Sequence, residues 1–481
     1  MPSNNGGPTA GRIDRRSVLK VTGASIIGTS SLAGCLGNSS GEGSNGSTTS
    51  EGNTGNGSTG GSSSSSDLSG KSLHFVTDES NPSAQKFLKQ VGSSFESETG
   101  ASVKMEFVGR GSSGSERVIQ LLQAGDPPEI FTANQSQAIS WAIRGILAPV
   151  DEPLATGKER LGELPGENAR TILEGNEYSV PFGANAGCYW YRADVVEDTV
   201  PSTWEDTLAF AEKANGKSGL KGSYVPAGSD SSTTYHFLNW LYSNEGTIAK
   251  RENDEIRIAV GDSENRSRWV ETMNFIKDLH QYSPDATDST WSTMIQAIPN
   301  ETSASNWYGG ARPKVQAAKA DKPFAADLHP VPMPKNRQRV GDGSADGFVT
   351  FKGADTEVAH AFLEFFLQME NMVQLPFELA PVHVVSPWPT VVSSDAWKEN
   401  VDQLPDAWSK DDIQTYMVDV MESYQPVSHE TEPPNPYAES LLGSNHITNF
   451  VQEVLINDKN PDDIVDDYAS KLESTLKKAK Q

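Results

Sequence analysis

The chain has 481 residues, 64 of them acidic and 39 basic, for a formal net charge of −25. So acidic a chain lacks the basic surface that phosphate neutralisation needs, which argues against a nucleic-acid partner and for a hydrated, soluble surface whose self-repulsion a salt-rich habitat would screen. The two cysteines, Cys35 and Cys188, form no CxxC pair, so no cysteine metal motif is present and a core of this size does not need a disulfide.

The N-terminus reads as an export signal. Arg15 and Arg16 precede a short apolar run, Val18 to Ile27, and small residues lead to Leu32-Ala33-Gly34-Cys35. A basic start, an apolar stretch of about 7 to 15 residues and a small-residue cleavage point make a signal peptide, and the run is shorter than the roughly 20 residues a membrane span needs. The Arg15-Arg16 pair resembles a Tat signal, which exports folded proteins. The Leu-Ala-Gly-Cys tetrad resembles a lipobox, in which Cys35 becomes the lipid-modified first residue. The leader carries Arg12, Arg15, Arg16 and Lys20 against Asp14, so its removal deepens the negative charge.

From Asn38 to Gly70 the chain is nearly all Gly, Ser, Asn and Thr. Such a stretch buries no core and acts as a tether, with a reach on the order of 30 Å. Asn38, Asn45 and Asn56 open N-x-[ST] triplets.

The folded part starts at Lys71. Ser72–Thr77 reads as a strand, and Pro82–Thr99 as a helix with Phe87, Leu88, Val91 and Phe95 on one face and Gly100 as its stop. A strand over 102–108, a helix from Ser115 to Ala124 ended by Gly125 and Pro127-Pro128, and a strand at Glu129–Thr132 follow. Alternating strands and helices imply a parallel, doubly wound α/β sheet with ligand sites beyond the strand ends. Gly109 to Gly114 satisfies GxGxxG, and Glu129 stands near the later acid of a dinucleotide fold. The motif follows the second strand rather than the first, however, and Glu129 follows Pro-Pro, so the loop reads as Gly/Ser backbone facing a cleft. Cys188 reads as a buried apolar residue in a strand rather than a nucleophile.

These segments, with LLQAGDPPEIF and RGILAPVDE, resemble the first lobe of the family 1 extracellular solute-binding proteins, the maltose-binding type that serves ABC importers. Tyr178-Ser179-Val180-Pro181 and GCYWYRAD (187–194) resemble that family's first crossover between lobes, and PSTWED (201–206) its next helix start. Thr203 is also a good N-cap, with Asp206 at N3. Trp307 and Tyr308 match its G-x-[WY] loop, where an aromatic stacks on ligand. HPVPMP (329–334), Asp346 to Thr350 as a second hinge, the helix Thr356–Met369, Leu379 to His383 and a terminal helix pair within 447–478 complete the likeness. Residues 389–432 match poorly, leaving the third crossover open.

The resemblance implies a type II periplasmic-binding-protein fold, two α/β lobes joined by hinge crossovers around a cleft. The expected layout is a signal at 1–34, a lipid-anchored Cys35 with linker at 35–70, lobe 1 at 71–182 and 347–400, and lobe 2 at 183–346, completed by C-terminal helices at 401–481. The expected function is capture of a sugar, oligosaccharide or polyol by lobe closure and delivery to a membrane permease, by a monomer held on the outer face of the cytoplasmic membrane, with no cofactor or metal. Asp78, Ser112, Asn134 and Asn185 are the expected polar contacts, and Tyr235, Trp307 and Tyr308 the aromatic ones. An exported glycoside hydrolase is the alternative, since two carboxylates at fixed spacing would suffice; HExxH is absent. His236, His280 and His360 fall in helices and read as packing or surface residues rather than ligands, and Phe237, Trp240 and Leu241 read as packing.

Overall fold

The computed structural model describes residues 67–109, 112–164, 168–380 and 382–481, so Arg15, Arg16, Cys35 and the tether lie outside the described residues. A mixed sheet carries seven longer strands, β1 (Ser72–Thr77), β2 (Ser102–Phe107), β3 (Ile130–Asn134), β4 (Val180–Arg192), β5 (Ser305–Gly309), β6 (Leu328–Pro332) and β7 (Gly341–Phe351). Its main order is β5-β4-β7-β3-β1-β2. The parallel alternation expected at the start of the fold is present, with β1 parallel to both β2 and β3. The rest is antiparallel: β7 lies between β3 and β4, while β5 and β6 flank the far half of β4.

Local chemistry sets the element ends. The helix Pro82–Thr99 starts where Asn81 accepts from the Ser83 N–H, has Pro82 in its first turn, and ends at Gly100 in the left-handed region. Thr203 caps the helix Trp204–Ala214 by accepting from the Asp206 N–H at 3.1 Å. Glu129 closes a loop instead of meeting a ribose, accepting from the His74 N–H at 2.6 Å.

The two largest hydrophobic cores among the described residues flank the sheet. The first gathers Leu73, Phe75, Leu88, Val91, Phe95, Phe348, Phe362, Phe366 and Trp388, with edge-to-face pairs such as Phe75–Phe348 at 5.7 Å and Phe95–Phe362 at 5.2 Å. The second gathers Trp190, Phe237, Trp240, Trp269, Phe275, Phe450 and Leu472, and Trp204 stacks on Phe275 at 4.2 Å. Phe237, Trp240 and Leu241 are fully buried there.

The long strand β4 passes from one core to the other, with Val180 and Phe182 in the first and Cys188 to Trp190 in the second. Gly183 to Ala186, within the crossover expected from the sequence, is paired strand against β7, whose register shifts at Asp346/Gly347. A further bridge joins Ala184 to Val385, with mutual N–H to O bonds of 2.8 and 2.9 Å. In the stretch that matched poorly, Trp397 of the helix Asp395–Asp402 packs in the first core and Leu404 on the second.

Lys314 is fully buried in the second half of the molecule. Its Nζ donates to Asp412 Oδ2 at 2.5 Å and to the Leu328 carbonyl at 2.8 Å, and His329 Nδ1 sits 2.7 Å from Asp412 Oδ1. Cys188 is fully buried in β4 and its thiol faces the Tyr308 carbonyl at 3.5 Å. Burial pushes that thiol's pKa up, which removes it as a nucleophile. His236 is likewise packing: burial lowers its pKa to about 3, and its Nε2 accepts from Trp240 Nε1 at 3.1 Å. Among the described residues no helix is long and apolar enough to cross a membrane.

Candidate functional site

Between the two cores runs a cleft made of two adjoining cavities, of about 590 Å³ and about 210 Å³. Asn134, Asn185, Asp346 and Glu439 line both, which makes them one continuous site. A pocket of several hundred Å³ with a few converging polar groups is the usual shape of a small-molecule site.

The sheet puts these groups in place. Asp78 directly follows β1, and Asn134 ends β3. Asn134 Oδ1 accepts from the Gln137 N–H at 2.9 Å and so caps the helix Gln135–Ile143, which leaves its amide N–H₂ to act as donor. In β7 the alternate residues Asp342, Ser344 and Asp346 are half-buried between buried neighbours and all line the inner cavity, as a period of two requires. Asp346 is paired in register with both Asn134 and Gly183, so it stands at the centre of the sheet where the two cores meet.

The aromatic residues converge from three elements. Tyr235 on the helix Ser231–Ser243, Trp307 on β5 and Trp291 at the start of the helix Trp291–Ala297 all line the inner cavity. Trp291 is the hub, with ring centres 5.8 Å from Tyr235, 5.9 Å from Trp307 and 5.8 Å from Tyr308. Thr290 holds Trp291 in place by capping its helix through a reciprocal pair with Thr293, and Trp291 Nε1 donates to Ser231 Oγ at 2.9 Å. Tyr308 supports the hub edge-on and lies 6.1 Å from the His383 ring.

Close backbone approach completes the wall. A Cβ on Gly187 would stand 1.9 Å from Asn239 Oδ1 and 2.8 Å from Trp307 Nε1, so only glycine fits. Asn239, fully buried, accepts from the Asp342 N–H at 2.9 Å and donates to the Tyr235 carbonyl at 2.8 Å, tying the aromatic helix to β7. Electrostatics differ along the cleft. The larger cavity adds Arg144 and Arg312 to Asp78, Glu79, Asp346 and Glu439. Burial, then Asp342 and Glu439 nearby, raise the Tyr235 hydroxyl pKa, so it is a neutral donor and acceptor.

Of the expected contacts, the cleft brings together Asp78, Asn134, Asn185, Tyr235 and Trp307. Ser112 begins the helix Ser112–Ala124, and its side chain lies outside the described residues; Ser115, one turn on, lines the cavity. Trp307 is only 2% exposed, so it belongs to the second core as well as to the cleft wall. Sequence reading passed over Trp291, Asp342, Glu439, Arg144 and Arg312. The DGSADG alternation carried a signal for Asp342 and Ser344, whereas Glu439 falls just past the unmatched stretch.

A search for family likeness matches residues 77–373, more than half of the chain, to the bacterial extracellular solute-binding proteins. This chain belongs to that family. Its fold is the type II periplasmic-binding-protein class expected from the sequence. A solute-binding protein of an ABC transporter from Thermotoga lettingae TMO, solved with alpha-D-tagatose, aligns at a TM-score of 0.66 and 18% identity, over 84% of this chain and 100% of that one. The GacH receptor of Streptomyces glaucescens GLA.O, solved unliganded and with acarbose, aligns at 0.66 and 18%, over 85% and 99%. The sugar-binding protein MalE from Xanthomonas citri aligns at 0.68 and 13%, over 85% and 98%. In this solute-binding protein the cleft described above lies between the two cores, crossed by β4 and β7.

Proposed function

We propose that this solute-binding protein captures a carbohydrate in the cleft and delivers it to the permease of an ABC importer. The observation that carries this reading is the convergence of Tyr235, Trp291 and Trp307 with Asn134, Asn185, Asp342 and Asp346 on one cavity wall. Sugar rings present C–H faces that pack on aromatic planes and hydroxyls that need both donors and acceptors, and this wall offers both. The ligands named for the structural relatives, tagatose and acarbose, support the same class.

Closure of two lobes about β4, β7 and the Ala184–Val385 bridge is the proposed mode of capture, with lobes divided at 71–182, 183–346, 347–400 and 401–481. Ligand bound to both walls stabilises the closed form, because only that form offers both sets of contacts. Binding, not hydrolysis, is the activity that the family supports. Arg15-Arg16 is proposed as a Tat signal and Cys35 as a lipid anchor, so that the tether keeps a monomeric binding module at high local concentration beside its permease. The acidic composition fits a saline habitat.

Thermal denaturation in concentrated salt with a panel of monosaccharides, oligosaccharides and polyols tests the reading. A true ligand at 100 times its Kd adds about 2.7 kcal/mol of stability. A panel with no stabilising member contradicts carbohydrate capture, and turnover of a member would favour the hydrolase.

A further inference from the structure

The inner cavity has a charge character of its own. It is lined by Asp342, Asp346 and Glu439 together with Tyr235, Trp291 and Trp307, and by no described lysine, arginine or histidine. Asp342 and Glu439 are half-buried, come from different elements and have no cationic partner among the described residues. Both stand close enough to Tyr235 to raise the pKa of its hydroxyl. Carboxylates taken out of water without a partner are costly, and a cation supplied from outside offsets that cost. Aromatic faces reinforce such a site, because the ring quadrupole attracts a cation most strongly where water is excluded.

A second observation comes from Trp307. Its indole Nε1–H is buried and has no acceptor among the described residues, and it stands beside Gly187, which carries no side chain and lines the same cavity. A buried donor without an acceptor at a cavity wall calls for an oxygen on the ligand. The wall therefore asks for a molecule with both a hydroxyl or ether oxygen and a positive charge.

We propose that the inner end of the cleft is an ammonium subsite, in which the protonated amine of an amino sugar lies against Tyr235, Trp291 and Trp307 between Asp342 and Glu439. The inference rests on the carbohydrate reading above and narrows it to amine-bearing sugars. Burial, together with the nearby Glu430, raises the Asp342 carboxyl pKa well above its ordinary value, and burial raises that of Glu439. The groups facing this pair are Tyr235 and Tyr242 on the helix Ser231–Ser243, Glu430, Asp346 on β7 and, in the adjoining cavity, Arg144 and Arg312.

Titration calorimetry of the full chain in concentrated salt decides the matter, with glucosamine, galactosamine and glucosamine oligomers set against the matching neutral sugars and their N-acetyl forms. The expected result is about tenfold or stronger preference for the charged amine over both counterparts. Asp342→Asn combined with Glu439→Gln abolishes that preference; the wild-type ranking is decisive even if the variant fails to fold. Neutral sugars bound as tightly as amino sugars, or more so, overturn the subsite and leave the carbohydrate reading standing. Binding of tetramethylammonium or putrescine but of no sugar upholds the subsite and overturns the carbohydrate reading. Binding of neither class overturns both.

Discussion

The buried Lys314 offers a quantitative test of how the second core is held. Its Nζ has a carboxylate at 2.5 Å, a carbonyl at 2.8 Å and the Trp408 ring at 5.3 Å, with no exposure. Burial pushes the lysine pKa down despite its partner, whereas His329 and Lys314 together hold the Asp412 carboxyl below its ordinary range against burial. The triad thus favours the charged aspartate, and the lysine bears the desolvation. Lys314→Met keeps the volume but leaves Asp412, 4% exposed, with His329 alone, and strips the Leu328 carbonyl of a donor. Breaking a buried pair from one side costs about 3–5 kcal/mol, while replacing both partners by apolar groups is often neutral or stabilising. Urea unfolding in concentrated salt, followed by circular dichroism, should show that loss for Lys314→Met and recovery of most of it in Lys314→Met/Asp412→Leu. A single variant within about 1 kcal/mol of wild type, or a double variant as unstable as the single, would refute this reasoning.

Three other outcomes are expected. Gly187→Ala should lose both stability and ligand affinity, because the new methyl displaces Asn239 from the Asp342 N–H and presses on Trp307; a variant binding like wild type in calorimetry would contradict that geometry. Glu430 has its pKa raised from 4.5 to about 7, chiefly by burial. Its protonated form therefore contributes stability that is fully present below about pH 4.5 and lost as pH rises through about 7, roughly 3 kcal/mol in all at about 1.4 kcal/mol per unit. The stability of wild type relative to Glu430→Gln should fall by that much over the window, and a flat difference excludes it. Finally, the melting temperature should drop on dialysis into low salt, where the Debye length grows from about 3 Å at 1 M to about 30 Å at 0.01 M; a salt-independent melt rules out screening as a stabilising factor.

Much of the fold was legible because local rules dominate there. Ser72–Thr77 and Pro82–Thr99 follow from alternation and a capped amphipathic face, and both elements have the expected bounds. What sequence could not show was the sharing of roles. Gly183 to Ala186 fell inside the expected crossover, where neighbouring strands and Val384 occupy the space that its small side chains leave. Asn134 looked like a ligand contact and is also a helix cap, two uses that one short polar side chain serves equally well. Trp291 was missed because a tryptophan in a first helical turn has no signature of its own; only the fold brings it against Tyr235 and Trp307, 56 and 16 positions away. Glu439 was missed for the same reason, as its partners across the cavity lie on β7 and a distant helix.

The central claim is that the aromatic and polar wall around Trp307 takes a sugar. Titration calorimetry of the best carbohydrate ligand against wild type, Trp307→Phe and Trp307→Ala, at a temperature where circular dichroism shows all three folded, tests it most directly. Wild type should bind saturably, Trp307→Phe, which keeps a ring but loses the indole N–H, should bind more weakly, and Trp307→Ala should lose about tenfold or more. Full affinity in Trp307→Ala would contradict it.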